Sequence, residues 1–288
     1  MVLIAVTALT ACENDFSAKA DYEERVVVFS VLDRSAPYQV VRLERTFDTE
    51  GGIGSAIVPP APITEATVSV STDRRNFIFR DTVFTLADGS TRKVWINRDL
   101  VPTEGTVYTL SVEVPGFGPI TATTRMPSRA FARLAVVNGG VRVAAEQTTA
   151  YPASGYYFRL WVTGMKTVDG RQIDVRREVP QRYDAESGEA EFTEPTRDKA
   201  VVFSNGNLLR VHAQLREADS VSGSDVVGVA YSLDQYLYSY YKLARGFDDP
   251  VSVRQDRPDI SNVLGGVGIF GAVYPDSVRT RFSAIVQQ

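Results

Sequence analysis

The chain has one cysteine and one histidine among 288 residues. A single cysteine leaves no disulfide to be made within the chain, so stability must come from burial. One histidine and one cysteine cannot build a His/Cys metal cluster. Any triad with a histidine base would have to run through His212 alone. No carboxylate loop of the calcium-binding kind occurs, and no G-x-S-x-G elbow. Long apolar runs are also missing. The stretch at residues 2–11 is far short of the ~20 residues that span a bilayer as a helix. Positive charge is in deficit: the net charge of −4 argues against a nucleic-acid partner, since phosphate binding needs a basic surface. What is present, 44% hydrophobic and 23% charged residues, is the composition of a folded protein long enough for two domains.

The one cysteine closes the apolar run as Leu9-Thr10-Ala11-Cys12. A branched apolar residue, two small residues and a cysteine resemble a bacterial lipobox, and the run has the length of a secretory h-region. Residues 1–12 are therefore expected to be a lipoprotein signal peptide with Cys12 as the lipidated residue. Each buried methylene contributes ~0.8 kcal/mol, so two or three acyl chains such as palmitate make a stable membrane anchor. No Lys or Arg precedes the run, which we read as a start codon placed too late. Residues 13–21 read as a flexible tether. Its Glu13, Asn14 and Asp15 resemble the surface-export signal of Bacteroidota lipoproteins, with a merely solvated tether as the alternative.

Period-two patterns dominate the remainder, the signature of half-buried strands. Ala66, Val68 and Val70 alternate with Thr67, Ser69 and Ser71; Tyr108, Leu110, Val112 and Val114 alternate with Thr109, Ser111 and Glu113. A Pro115-Gly116 turn and a return run through Ile120, Ala122 and Met126 make a hairpin. Residues 25–32 suit a central strand, and further strands are expected at 38–47, 76–84 and 93–96. Together these give about seven short strands over residues 22–127, an immunoglobulin-like sandwich, with residues 51–62 as a loop. Met126-Pro127-Ser128 marks a boundary, and residues 128–288 form a second β-rich domain. There Asn138-Gly139-Gly140 signals a hairpin, Tyr156, Phe158, Leu160 and Val162 line one face of a strand, and Leu209, Val211, Ala213 and Leu215 line one face of another. Residues 181–199 read as a mobile polar loop. One amphipathic helix is expected, capped by Ser232 with Gln235 as a capping box and closed at Gly246, with Leu233, Tyr236, Leu237, Tyr240, Leu243 and Ala244 on its buried face. The fold class is thus mainly all-β.

Few residues advertise chemistry. Gly266-Val267-Gly268-Ile269-Phe270-Gly271 spells G-x-G-x-x-G, but Pro275 follows closely and too little chain remains for the helix and strand of a dinucleotide site. A glycine-rich strand or close backbone crossing is expected instead. His212 reads as a solvated strand residue. Asp248-Asp249 and Glu186/Glu189/Glu191 are the densest carboxylates that could serve glycoside hydrolysis. Among the aromatics, Tyr238 falls outside the apolar arc of the helix, and Tyr238 and Trp161 are the candidates for an exposed ligand-binding platform. No cofactor is implied.

The C-terminal stretch carries a family resemblance. Tyr240-Tyr241, then Phe247-Asp248-Asp249-Pro250, then Ile260-Ser261-Asn262-Val263-Leu264-Gly265-Gly266-Val267-Gly268-Ile269-Phe270-Gly271 resemble the ending of a Bacteroidota lipoprotein family catalogued as domain of unknown function 4249. The lipobox, the early Val-rich strand, and the runs at 66–70 and 108–114 before Thr124 and Pro127 follow in that family's order. The resemblance implies an outer-membrane lipoprotein, on the periplasmic or the exposed face, of a kind often encoded beside TonB-dependent receptors. The expected function is a non-catalytic accessory or ligand-binding partner of such a transporter. The alternatives are a surface glycan or peptide hydrolase using carboxylates, and a structural or adhesive module.

Overall fold

The computed structural model describes residues 23–46, 62–85, 89, 91–147, 150–219, 221–244 and 260–286. Cys12, the tether, most of the insert at 51–62, Gly246 and Asp248-Asp249 lie outside them. Seven strands precede residue 127: β1 (Val26–Asp33), β2 (Gln39–Arg45), β3 (Thr67–Ser71), β4 (Asn76–Thr85), β5 (Thr91–Asn97), β6 (Val107–Glu113) and β7 (Ile120–Arg125). β4 belongs to two layers: Asn76–Phe79 pairs with β3, and Arg80–Thr85 pairs with β5. The chain thus folds over into a sandwich, with Trp95, Leu110, Ile120 and Met126 buried between the layers. Gly116 at φ 86° and the Phe117 N–H donated to the Val114 carbonyl (3.1 Å) close the β6–β7 hairpin at Pro115-Gly116, as the sequence indicates.

The second half begins with the hairpin β8 (Phe131–Val137) and β9 (Gly140–Glu146), turning at Asn138-Gly139. β10 (Gly155–Val168) and β11 (Arg171–Glu178) follow, joined by Asp169-Gly170 with both residues at positive φ. That is the left-handed two-residue turn an Asp-Gly pair favours. The segment expected to be a mobile loop holds a small hairpin, β12 (Arg182–Tyr183) with β13 (Ala190–Glu191). Asp184 fastens its turn by accepting from Ser187 N and Glu186 N, and Arg182 pairs with Glu191. Thr193 then donates to the Phe158 carbonyl, and Thr196 bridges to Tyr156.

β14 (Ala200–Ser204) leads into α1 (Asn205–Asp219), where a strand was expected at 209–215. Leu208, Val211 and Leu215 are buried at helical spacing, while Leu209 is 45% exposed. The Ser204 hydroxyl accepts from Asn207 N (3.1 Å) and caps the helix. β15 (Ser222–Leu233), α2 (Gln235–Ala244), β16 (Val263–Leu264), β17 (Val267–Arg281) and α3 (Phe282–Val286) complete the chain. The described residues thus carry three helices on a mainly all-β, sandwich-like fold. β14, β9 and β8 form a three-stranded sheet packed over β10 and β15, with α1 and α3 closing that core through Leu208, Leu215, Phe282 and Ile285.

β17 joins the two halves. Its first part runs parallel to β1, from Val27↔Val267 to Asp33↔Val273. Its second part pairs antiparallel with β15, from Leu233↔Val273 to Asp225↔Arg281. The glycine-rich segment, placed by sequence position in the 128–288 half, therefore packs into the first sandwich, where Val263, Phe270 and Ala272 share the core of Trp95 and Leu110. Residues 126–128 are likewise interior: Met126 and Ser128 are buried.

A candidate binding surface on the second sheet

β10 sorts its side chains by alternation. Tyr156, Phe158, Leu160 and Val162 enter the core; Tyr157, Arg159, Trp161 and Thr163 lie on the outer face. Register places partners beside them. Tyr157 faces Tyr231, Arg159 faces Val229, and Trp161 lies between Glu178 on β11 and Val227 on β15. Helix α2 covers the Tyr157 end of this face through Leu237 and Tyr241. The other end is left as an open groove of about 440 Å³, lined by Arg159, Trp161, Arg176, Val227, Tyr231 and Arg279 among others.

The helix is set by Asp234, not by Ser232. β15 runs through Leu233, so the cap falls two residues later, where Asp234 Oδ1 accepts from Leu237 N (2.9 Å). Ser232 is fully buried in the strand. With Leu233 left in the strand, the helix buries only a narrow stripe spaced i, i+4. Leu237 and Tyr241 are buried, whereas Tyr236 and Leu243, expected on the buried face, are 38% and 48% exposed. Asp234 itself is deeply buried. Burial pushes its carboxyl above the usual range, against the hydrogen bonds from Thr124 and from the Leu237 amide that favour the charged form. Thr124 Oγ1 donates to Asp234 Oδ2 (2.7 Å) from β7, tying the helix cap to the first sandwich.

The two candidate aromatics occupy different settings. Tyr238 is half-buried, its ring packed where a side chain at Gly155 would sit, with the Arg197 guanidinium 5.7 Å from its centroid. It does not line the groove. Trp161 does, and its ring is already covered: the Arg159 and Arg176 guanidinium groups lie 4.6 and 4.7 Å from its centroid. The indole is the middle of an Arg–Trp–Arg row, not a bare stacking platform.

Charge in the groove is largely matched. Arg159 is held by both oxygens of Glu178. Burial works against its charge, yet the Glu178 carboxylate holds the guanidinium above its usual range. Burial, then the Glu178 charge, pushes the Tyr157 hydroxyl up to about 12, so it stays protonated. Asp276 accepts from Arg129 Nε (2.8 Å) and from Ala132 N (2.8 Å). Asp33 Oδ1 accepts from Ser35 N (2.7 Å), and Gln39 clasps the Asp33 backbone through both amide atoms, fixing the rim. Arg279 lies at 3.9 Å from Asp174 and 3.7 Å from Asp225. Among the described residues no group of three metal-ligating side chains converges.

The other sequence candidates are elsewhere. His212 is on α1, not on a strand. Its ring stacks on Phe282 at 3.7 Å, Nε2 lies 3.0 Å from Ser224 Oγ, and burial followed by the Arg216 charge depresses its basicity. Glu191 is paired with Arg182, and Glu186 and Glu189 are exposed on the small hairpin. The G-x-G-x-x-G run is strand β17. A Cβ at Gly268, where φ is 118°, would collide with the Val28 carbonyl, and one at Gly265 with the Pro119 carbonyl. Asn262 bridges the crossing by donating to Phe270 O (2.8 Å) and Thr123 O (3.2 Å) and accepting from Phe270 N (2.9 Å). The glycines and Asn262 thus serve a close strand crossing.

Comparison with known proteins adds one positive finding. No curated protein matches the chain. A solved structure of the chicken CNTN1 FN1-FN3 domains is similar at 9% identity with a TM-score of 0.18. The alignment covers 87% of this chain and spans 64% of that one, under two thirds of its length. A family model matches residues 13–279, so the chain belongs to the family described as domain of unknown function DUF4249.

Proposed function

We propose that the chain is a non-catalytic outer-membrane lipoprotein, anchored through Cys12, that acts as an accessory or ligand-binding partner of a TonB-dependent transporter. The observation that carries the binding part is the open groove around Trp161, where most charged side chains neutralise one another and do not converge on one reacting position. The groove sets the Trp161 indole and the Val227 and Val229 side chains among charged and polar groups that can fix the orientation of a ligand. The anchor rests on Leu9-Thr10-Ala11-Cys12, and the transporter partnership on the family resemblance. No helix among the described residues is long and apolar enough to cross a membrane.

Two measurements test this reading. Mass spectrometry of the membrane-extracted protein is expected to find acylated Cys12 at the mature N-terminus; an intact Met1 or a free thiol would sink the anchor. Co-purification from native outer membrane is expected to recover a transporter; recovery of the chain alone at mild detergent would remove the partnership.

A further inference from the structure

The strand that borders the groove is itself open. β11 ends the twelve-strand order, and among the described residues no strand pairs with its outer edge. The Val179 amide donates to the Leu160 carbonyl (2.7 Å), which fixes the phase of the β10–β11 ladder. With the register Val162↔Arg177, Gly164↔Val175 and Lys166↔Ile173, those odd-numbered residues of β11 hydrogen-bond to β10. Alternation then turns the N–H and C=O groups of Gln172, Asp174 and Arg176 outward. The side chains of Asp174 and Arg176 line the groove. The edge and the groove are therefore presented by the same residues.

Charge selects the occupant. β11 carries Arg171, Arg176 and Arg177 against Asp174 and Glu178, and Glu178 is taken up by Arg159, in a chain of net charge −4. Arg171 and Arg176 have no carboxylate within ion-pair distance among the described residues, and Arg176 is held in place by the Trp161 indole. Arginines on an edge strand discourage pairing with another copy of themselves. The same charges favour a strand of opposite sign.

We propose that β11 is a docking edge for an extended acidic segment of a protein partner, which adds as a further strand. Backbone hydrogen bonds to Gln172, Asp174 and Arg176 supply affinity, and alternate acidic side chains reach the Arg176 guanidinium beside Trp161. Strand addition of this kind reads the backbone and uses side chains for selectivity. The inference rests on the binding role proposed above and assigns it a place and a chemistry.

The test uses the full chain in detergent and two synthetic peptides, one alternating Glu and Val, the other Lys and Val. Trp161 is partly exposed while Trp95 is buried, so tryptophan fluorescence reports binding at the groove. The acidic peptide is expected to bind and the basic one not to. Arg176→Glu is expected to weaken binding ~10-fold or more. Asp174→Pro removes an outward N–H without touching the β10 ladder, a change an edge strand accepts. It is expected to bind ~10-fold more weakly than Asp174→Ala, which keeps that N–H. Should Asp174→Pro unfold, hydrogen exchange replaces it: the Asp174 and Arg176 amides are expected to gain protection with peptide. Equal affinity for both peptides, equal binding by the Pro and Ala variants, or unchanged exchange overturns the proposal. If these fail while the chain still co-purifies with a transporter, the proposed function stands and only this docking edge is lost.

Discussion

At the scale of single residues, Asp234 is where energetics and architecture meet. Its buried carboxyl caps α2 and accepts from Thr124 across the two halves. Its pKa is raised by burial, so the folded state holds its proton more tightly than the unfolded state does. The stabilisation from that proton is fully present below the ordinary carboxylate pKa and is lost as pH rises through the raised value. Asp234→Asn keeps a capping oxygen without the charge. The variant is therefore expected to gain stability relative to wild type as pH rises from the acid range to neutrality, measured by thermal unfolding at several pH values; a difference that does not vary with pH contradicts the buried charge. Asp234→Ala loses cap and crosslink together and is expected to cost ~1–3 kcal/mol. Gly268 makes the opposite demand, for nothing at all at Cβ. Gly268→Val forces a side chain against the Val28 carbonyl at a left-handed φ and is expected to cost more than ~2 kcal/mol. A variant that unfolds like wild type would mean that this crossing is not tight.

At the scale of elements, legibility followed periodicity. Strands before residue 127 with one buried and one polar face were readable by alternation, as in Val68/Val70 against Ser69/Ser71, and β1, buried on both faces, by its nearly continuous apolar run. α1 was not, because Leu209, Val211, Ala213 and Leu215 mimic a strand. The helical trio Leu208, Val211 and Leu215 is equally present, and the Ser204 cap decides between them only once the β14 boundary is known. The cap of α2 was missed for a related reason: Ser232 and Gln235 fit a capping box, but strand pairing of β15 with β17 extends to Leu233 and overrides the local signal. Trp161 was readable as an outward residue by alternation. Arg159, two residues away on the same face, follows from the same alternation; Arg176 does not, since it arrives through the register of β11, which the Asp169-Gly170 turn sets. The β10–β11 turn also yields a prediction: Gly170→Val, at φ 75°, is expected to loosen the hairpin and weaken the Trp161 contacts, seen as a shift in its fluorescence maximum.

At the scale of the molecule, a cut at 127 takes part of the first core away with the second half. β16 pairs with β7, and the first part of β17 pairs with β1, so residues 260–273 complete the first core. Residues 22–127 expressed alone are expected to lack a cooperative thermal transition, and appending residues 260–274 through a flexible linker is expected to restore one. Cooperative unfolding of 22–127 unaided would show that this closing strand is dispensable.

The parallel pairing of β1 with β17 has a mechanical side. Chain entering at Val26 runs alongside Val267–Val273, and β17 continues onward to pair with β15. A pull on the N-terminal lead, resisted at β15, loads those hydrogen bonds in shear, all together, instead of peeling them one by one. Were the chain held as proposed, by acyl chains at one end and a transporter at the other, tension would run from the β1 ladder into the length of β17.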